Sequence, residues 1–207
     1  TTTYLIKAAL EACGERVGLI GTIAVDRGGE LAPATHTTPE SLELQALLRS
    51  MVQRGCTYAV MEVSSHALSM ERVHGVRFAA GVFTNLTQDH LDYHGSMDAY
   101  LAAKKRLFEM LPADAVAVLN GDDPASAELR AATQARCRTY GLTLPADVVG
   151  RDIAMDMRGM SFSAAWNGQT VRLSSALTGA FNAANILAAF TVACELGIPP
   201  ETAVKGL

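Results

Sequence analysis

The sequence predicts an α/β fold, a mainly parallel sheet flanked by helices with a small antiparallel β unit. Three observations predict it. Short apolar runs alternate with helical periodicities from Val17 to Tyr140, the rhythm of a parallel sheet covered on both faces. Polar residues gather just beyond those runs, at 62–65, 85–94 and 120–123, where sheets of this kind bind their ligands. After Val148 the rhythm changes to alternating segments around Asn167-Gly168, the dipeptide of tight hairpins.

The elements follow in order. Residues 3–12 carry apolar side chains at helical spacing and stop at Gly14. Residues 17–23 are an apolar run bounded by glycine, a strand, and 26–33 read as a turn or small hairpin. Thr38-Pro39 reads as a helix start, with threonine as N-cap and proline at the first helical position, and the helix runs to about residue 54. Residues 58–63 and 78–83 are the next strands. Residues 97–111 form an amphipathic helix ended by Pro112, 115–119 a strand, 124–132 a helix and 138–140 a short strand. The antiparallel unit occupies about 150–178. Residues 181–196 return as a helix that is apolar around much of its surface. The chain reads as one domain, 1–207, an excerpt cut at both ends: it opens on TTTYLIKAAL and stops at VKGL inside a helix.

Composition narrows the function. The 207 residues are 49% hydrophobic and 18% charged, enough to bury a substantial core, with a net charge of -4. No basic stripe suits nucleic acid. No apolar run reaches the roughly 18–20 residues of a membrane span. Cys13, Cys56, Cys137 and Cys194 are widely spaced without a CxxC pair, which points to a reducing, cytoplasmic setting.

Several stretches carry chemistry. TNLTQDHLDYHG, residues 84–95, places Asp89, His90, Asp92 and His94 after a buried strand. Glu62 in MEVSSHAL is either a capping carboxylate or a magnesium ligand, since a carboxylate at a buried strand end needs a partner or a metal. The opening threonines are an N-cap signal, or the tail of a phosphate-binding loop. Spacing alone makes AAKKRLF, with Lys104 and Lys105, a solvated basic face. Arg72 can clamp a phosphate or carboxylate, whereas Arg77 reads as surface charge. NGDDP, with Asn120 and Asp123, is a turn and helix-start signal. Asn182 and Asn185 place two amides on one face of an apolar helix, suited to a base or ribose edge or to capping.

Together, HTTPESLELQ, MEVSSHAL, TNLTQDHLDYHGSMDAYLAAK, VLNGDDP and LTGAFNAAN resemble the central, ATP-binding domain of the Mur ligases over essentially the whole chain. HTTPE and DHLDYHG mark the E-type branch. NxDDP and FNxxN are shared more widely with the folylpolyglutamate ligases. The resemblance implies a phosphate-loop NTPase-like domain lying between N- and C-terminal domains of the same polypeptide. The implied activity is ATP-dependent addition of a third amino acid, diaminopimelate or lysine, to UDP-MurNAc-L-Ala-D-Glu through an acyl phosphate. It also implies roles. Thr1 and Thr2 border the ATP phosphates and a Mg²⁺ ion. Thr37, Thr38, Ser64 and Arg72 contact the muramoyl dipeptide. Glu62 and His90 hold magnesium with Lys104, which carries a CO₂-derived carbamate. Asn120, Asp123, Asn182 and Asn185 lie near the adenosine. Met70 stands where some relatives carry glutamine. Another Mur or folylpolyglutamate-type ligase and a non-catalytic nucleotide-sugar-binding relative are the competing readings.

Overall fold

A computed structural model describes residues 1–87 and 91–207. Two sheets organise it. The smaller has the order β3-β2-β1-β4, from β1 (Val17–Ile20), β2 (Ala24–Asp26), β3 (Leu31–Pro33) and β4 (Tyr58–Met61). The larger has the order β10-β9-β8-β7-β6-β5, from β5 (Ala80–Phe83), β6 (Val116–Asn120), β7 (Arg136–Gly141), β8 (Val148–Asp156), β9 (Gly159–Trp166) and β10 (Gln169–Ser175). Strands β5 to β8 pair in parallel, as does β1 with β4. Strands β8 to β10 are antiparallel and extend the larger sheet at one edge, where the change of rhythm in the sequence places them. Asn167 and Gly168 form the β9–β10 turn with φ of 45° and 81°, the left-handed pair that a two-residue hairpin requires.

Both faces of β6 are buried, and its neighbours in sequence split between two cores. Val116 and Val118 pack with α1 (Thr2–Glu11) and α7 (Ala180–Glu195) through Leu10, Ile186 and Phe190. Ala117 and Leu119 point the other way, onto Phe108 of α5 (Met97–Glu109) and Leu129 of α6 (Ala125–Ala132). Leu119 and Leu129 are fully buried, each contributing about 2 kcal/mol of transfer free energy. A third cluster joins Ile20 to Leu44 and Met51 of α2 (Ser41–Gln53) and Leu68 of α3 (Ser65–Ser69). Helix α7 is apolar all round because it lies between α1 and the larger sheet, with ten of its residues buried.

One expectation is corrected. Helix α2 starts at Ser41 with Glu40 as its N-cap, so Thr38-Pro39 lies before the helix. The Thr38 hydroxyl is instead engaged at the end of β4, a tertiary contact that overrides the local capping signal. The strands are mainly parallel, as the sequence predicts, and β4 and β5 each end a sheet. Both line one cavity of about 780 Å³ that follows β4 from Thr57 to Val63 and β5 from Phe78 to Asn85. Ile6 and Leu10 of α1 line one side of it, and Leu107 and Phe108 of α5 are among its other walls.

Candidate active site

Glu62 follows the last residue of β4, and its carboxylate gathers partners distant in sequence. Thr22, in the turn after β1, donates from its hydroxyl to Oε2 at 2.6 Å and from its N–H to the same oxygen at 3.3 Å. Thr3, in the first turn of α1, donates to Oε1 at 3.3 Å. A Cβ at Gly21 would lie 3.2 Å from Oε1, so the bare glycine leaves room for the carboxylate. The Thr22 and Thr37 hydroxyl oxygens are 3.1 Å apart.

The four residues expected to contact the dipeptide fall into one neighbourhood. Thr38 Oγ1 donates to the Glu62 carbonyl (2.9 Å) and accepts from the Ser64 N–H (3.0 Å). Ser64 caps α3 by accepting from the Ala67 N–H. Arg72 donates to the Thr38 carbonyl at 3.0 Å and pairs with Glu40 at 2.6 Å. Its Nε is buried and, among the described residues, has no hydrogen-bond partner. These bonds fold residues 37–40 onto the end of β4.

Lys104 lines the same cavity as Thr1, Thr2 and Glu62. Its ammonium lies 4.9 Å from the centre of the Tyr100 ring, one helical turn earlier. Tyr100 stacks on His94, whose Nε2 is 2.9 Å from Ser65 Oγ, and His66 packs on Tyr93 at 4.0 Å. Lys105 faces elsewhere, toward Glu128 and Glu109. His90 and Asp89 lie outside the described residues.

The four residues expected near adenosine divide into two pairs. Asn120 donates to the Thr84 carbonyl at 2.6 Å and accepts from the Asp122 N–H. Asp123 accepts from the Leu86 and Ala125 N–H groups. This pair fastens the segment after β5 to the end of β6. Asn182 and Asn185 sit instead beside the start of α1. Thr2 donates to Asn185 Oδ1 at 3.0 Å, Asn185 donates to Asn182 at 3.3 Å, and Asn182 donates to the Thr178 carbonyl at 2.8 Å. Between the named positions lies Asp122, which accepts from Leu142 N, Thr143 N and Oγ1, and Leu144 N. Burial pushes its carboxyl up, but those hydrogen bonds outweigh burial and hold it below its ordinary value of 3.8.

Sequence reasoning missed Thr3 as a partner of Glu62, and it missed Thr22, Ser65 and Asp122. The run of threonines at the start of α1 carried a signal for Thr3; a lone threonine in GTI carries none for Thr22.

The fold and site define an α/β domain of the doubly covered parallel type, with its polar groups beyond the strand carboxyl ends. Residues 1–193 match the Mur ligase middle domain, and the chain belongs to that family. The chain is 44% identical over its whole length to the UDP-N-acetylmuramoyl-L-alanyl-D-glutamate--2,6-diaminopimelate ligase of Geobacter metallireducens, of which it spans 41%. It is 43% identical to the ligase of that name from Caldanaerobacter subterraneus, of which it spans 42%. It therefore corresponds to about two fifths of these relatives. A solved ligase of the same name superposes with a TM-score of 0.89 at 31% identity, over 99% of this chain and 42% of that one. A MurF structure from Acinetobacter baumannii, at 19% identity over all of this chain and 42% of its own, shares the fold with a TM-score of 0.77.

Proposed function

We propose that the full-length protein is an ATP-dependent ligase that joins diaminopimelate to UDP-MurNAc-L-Ala-D-Glu in peptidoglycan synthesis, in the cytoplasm. The observation that carries this is 44% identity over the entire chain to a ligase of that name. The relatives' names favour diaminopimelate over lysine.

In the proposed reaction the γ-phosphoryl group of ATP passes to the D-glutamyl carboxylate, leaving ADP. The incoming amine attacks the resulting acyl phosphate, the C–N bond forms, phosphate departs and the nitrogen loses a proton. Such transfer depends on positioning and charge neutralisation more than on covalent help from the protein. The first-turn N–H groups of α1, beside Thr1 and Thr2, suit phosphate oxygens. The segment preceding Thr1 is assigned the phosphate loop and the strand leading into it. The open edges of β4 and β5 support that assignment.

The donor set fits magnesium. Glu62 and the hydroxyls beside it are hard oxygen donors, and Mg²⁺ takes one or two carboxylates with substrate phosphates and waters in its other positions. When bound, magnesium neutralises charge on the transferring phosphoryl group. Glu62, His90 and a carbamate on Lys104 are assigned to hold it. Carbamylation turns the Lys104 cation into an anionic oxygen donor, and its support here is that Lys104 shares a cavity with Glu62. Thr37, Thr38, Ser64 and Arg72 are assigned to the muramoyl dipeptide, and Asn120, Asp123, Asn182 and Asn185 to holding the loops and helix ends around the nucleotide.

The test is ligation by the full-length polypeptide with ATP, Mg²⁺ and UDP-MurNAc-L-Ala-D-Glu, offering diaminopimelate and lysine separately and detecting product by mass. Product with diaminopimelate supports the reading, product with lysine alone corrects the amino acid, and no product with intact nucleotide-sugar binding favours the non-catalytic relative.

A further inference from the structure

The hydroxyl of Thr22 has one proton. The 2.6 Å contact with Glu62 Oε2 uses it, because a carboxylate can only accept. Thr37, 3.1 Å away, must then donate to Thr22. The order of donation is Thr37 to Thr22 to Glu62, ending on a charge. With its proton spent, Thr37 can meet a ligand only as an acceptor, which suits an amide N–H or a sugar hydroxyl and not a carboxylate or phosphate. At the other end, two donors from Thr22 hold Oε2 against the β1–β2 turn, while Gly21 and Thr3 flank Oε1 on the side of α1.

We propose that Thr22 is a positioning residue: it orients the Glu62 carboxylate for magnesium and ties that orientation to the substrate-facing Thr37. This rests on the ligase reading above. A ligand that donates to Thr37 polarises the chain and strengthens both of its bonds, so occupation of the substrate side favours the metal-ready carboxylate. Partners that hold a metal ligand in place contribute about 10–100-fold to metal affinity.

The experiment uses the full-length enzyme and a fluorescent ATP analogue, reading by anisotropy the Mg²⁺ concentration that half-saturates nucleotide binding, without turnover. Thr22→Val keeps the shape and removes the hydroxyl; because Thr22 is exposed, the melting temperature stays unchanged. The expected result is a rise of about tenfold in the Mg²⁺ requirement, reversed by Thr22→Ser. Added UDP-MurNAc-L-Ala-D-Glu lowers the requirement in the wild type and leaves it unmoved in Thr22→Val. An unchanged requirement in Thr22→Val, with the requirement of Glu62→Gln greatly raised, overturns the role of Thr22 and leaves the ligase reading standing. So does a lowered melting temperature with a normal requirement. A normal requirement in Glu62→Gln overturns the metal assignment of Glu62 and the role of Thr22 together.

Discussion

Tyr140 of β7 donates its phenolic hydrogen to the Phe83 carbonyl at the end of β5, 3.1 Å away across the end of β6. The bond is buried, and it fixes the point from which the segment toward His90 departs. Burial, with Asp122 and Asp123 adding to it, pushes the phenol well above its ordinary value, so it remains a donor throughout the working pH range.

Tyr140→Phe keeps the packing and leaves the Phe83 carbonyl without that donor. The expected cost is about 1–2 kcal/mol, seen as faster amide exchange in the peptides covering β5 and β7 of the full-length protein. Unchanged exchange there would mean that water replaces the hydroxyl without loss.

Asp122 makes the loop of residues 142–144 sensitive to acid. Its folded carboxyl lies below 3.8, so the unfolded state binds the proton first as pH falls. The stabilisation is whole above about pH 3.8 and disappears as pH falls from there through the folded value. Asp122→Asn cannot accept all four donors, because its amide nitrogen is itself a donor. Exchange in that loop will be fast in the variant at neutral pH, and it will change less on acidification than in the wild type.

Arg72→Ala will raise KM for the uridine-muramoyl substrate with little change in nucleotide affinity, because Arg72 braces the Thr38 carbonyl and Glu40 rather than the cavity with Lys104. Arg72→Lys will not restore it, since an ammonium cannot serve two partners in the fixed geometry of a guanidinium. Equal loss for both ligands in a binding assay would remove Arg72 from the dipeptide site.

Lys104→Ala is expected to be nearly inactive and partly restored by acetate, which supplies oxygens where the carbamate is assigned. Lys105→Ala will do little. Its ammonium faces Glu109 and Glu128, about 100° round the helix. Steady-state rates of the two variants, with and without acetate, decide the matter. An active Lys104→Ala enzyme would withdraw the carbamate.

Much of the architecture was legible because its signals are local. Residues 115–119 form an apolar run because β6 is buried on both faces. Asn167-Gly168 announced its turn through backbone preference. Glu62 stands out as a carboxylate in an apolar run, whereas the role assigned to Lys104 rests on resemblance, against its own spacing. What stayed hidden is non-local. Thr22 meets Glu62 across 40 positions, and nothing in GTI announces that contact. Thr38-Pro39 looked like a helix start because capping chemistry is written locally, while the partners that claim Thr38 lie 24 and 26 residues on. Strand order is likewise invisible to periodicity, so the interruption between β4 and β5 emerged only in three dimensions.

That interruption bears on handling the chain by itself. Strands β4 and β5 offer their backbone N–H and C=O groups along an inner gap, in addition to the outer edges at β3 and β10. Unpaired edges are templates for other chains. Expressed alone, this stretch will recruit strands from its own copies and precipitate. An apolar peptide of about five residues, added in trans, will act as a donor strand and keep it in solution.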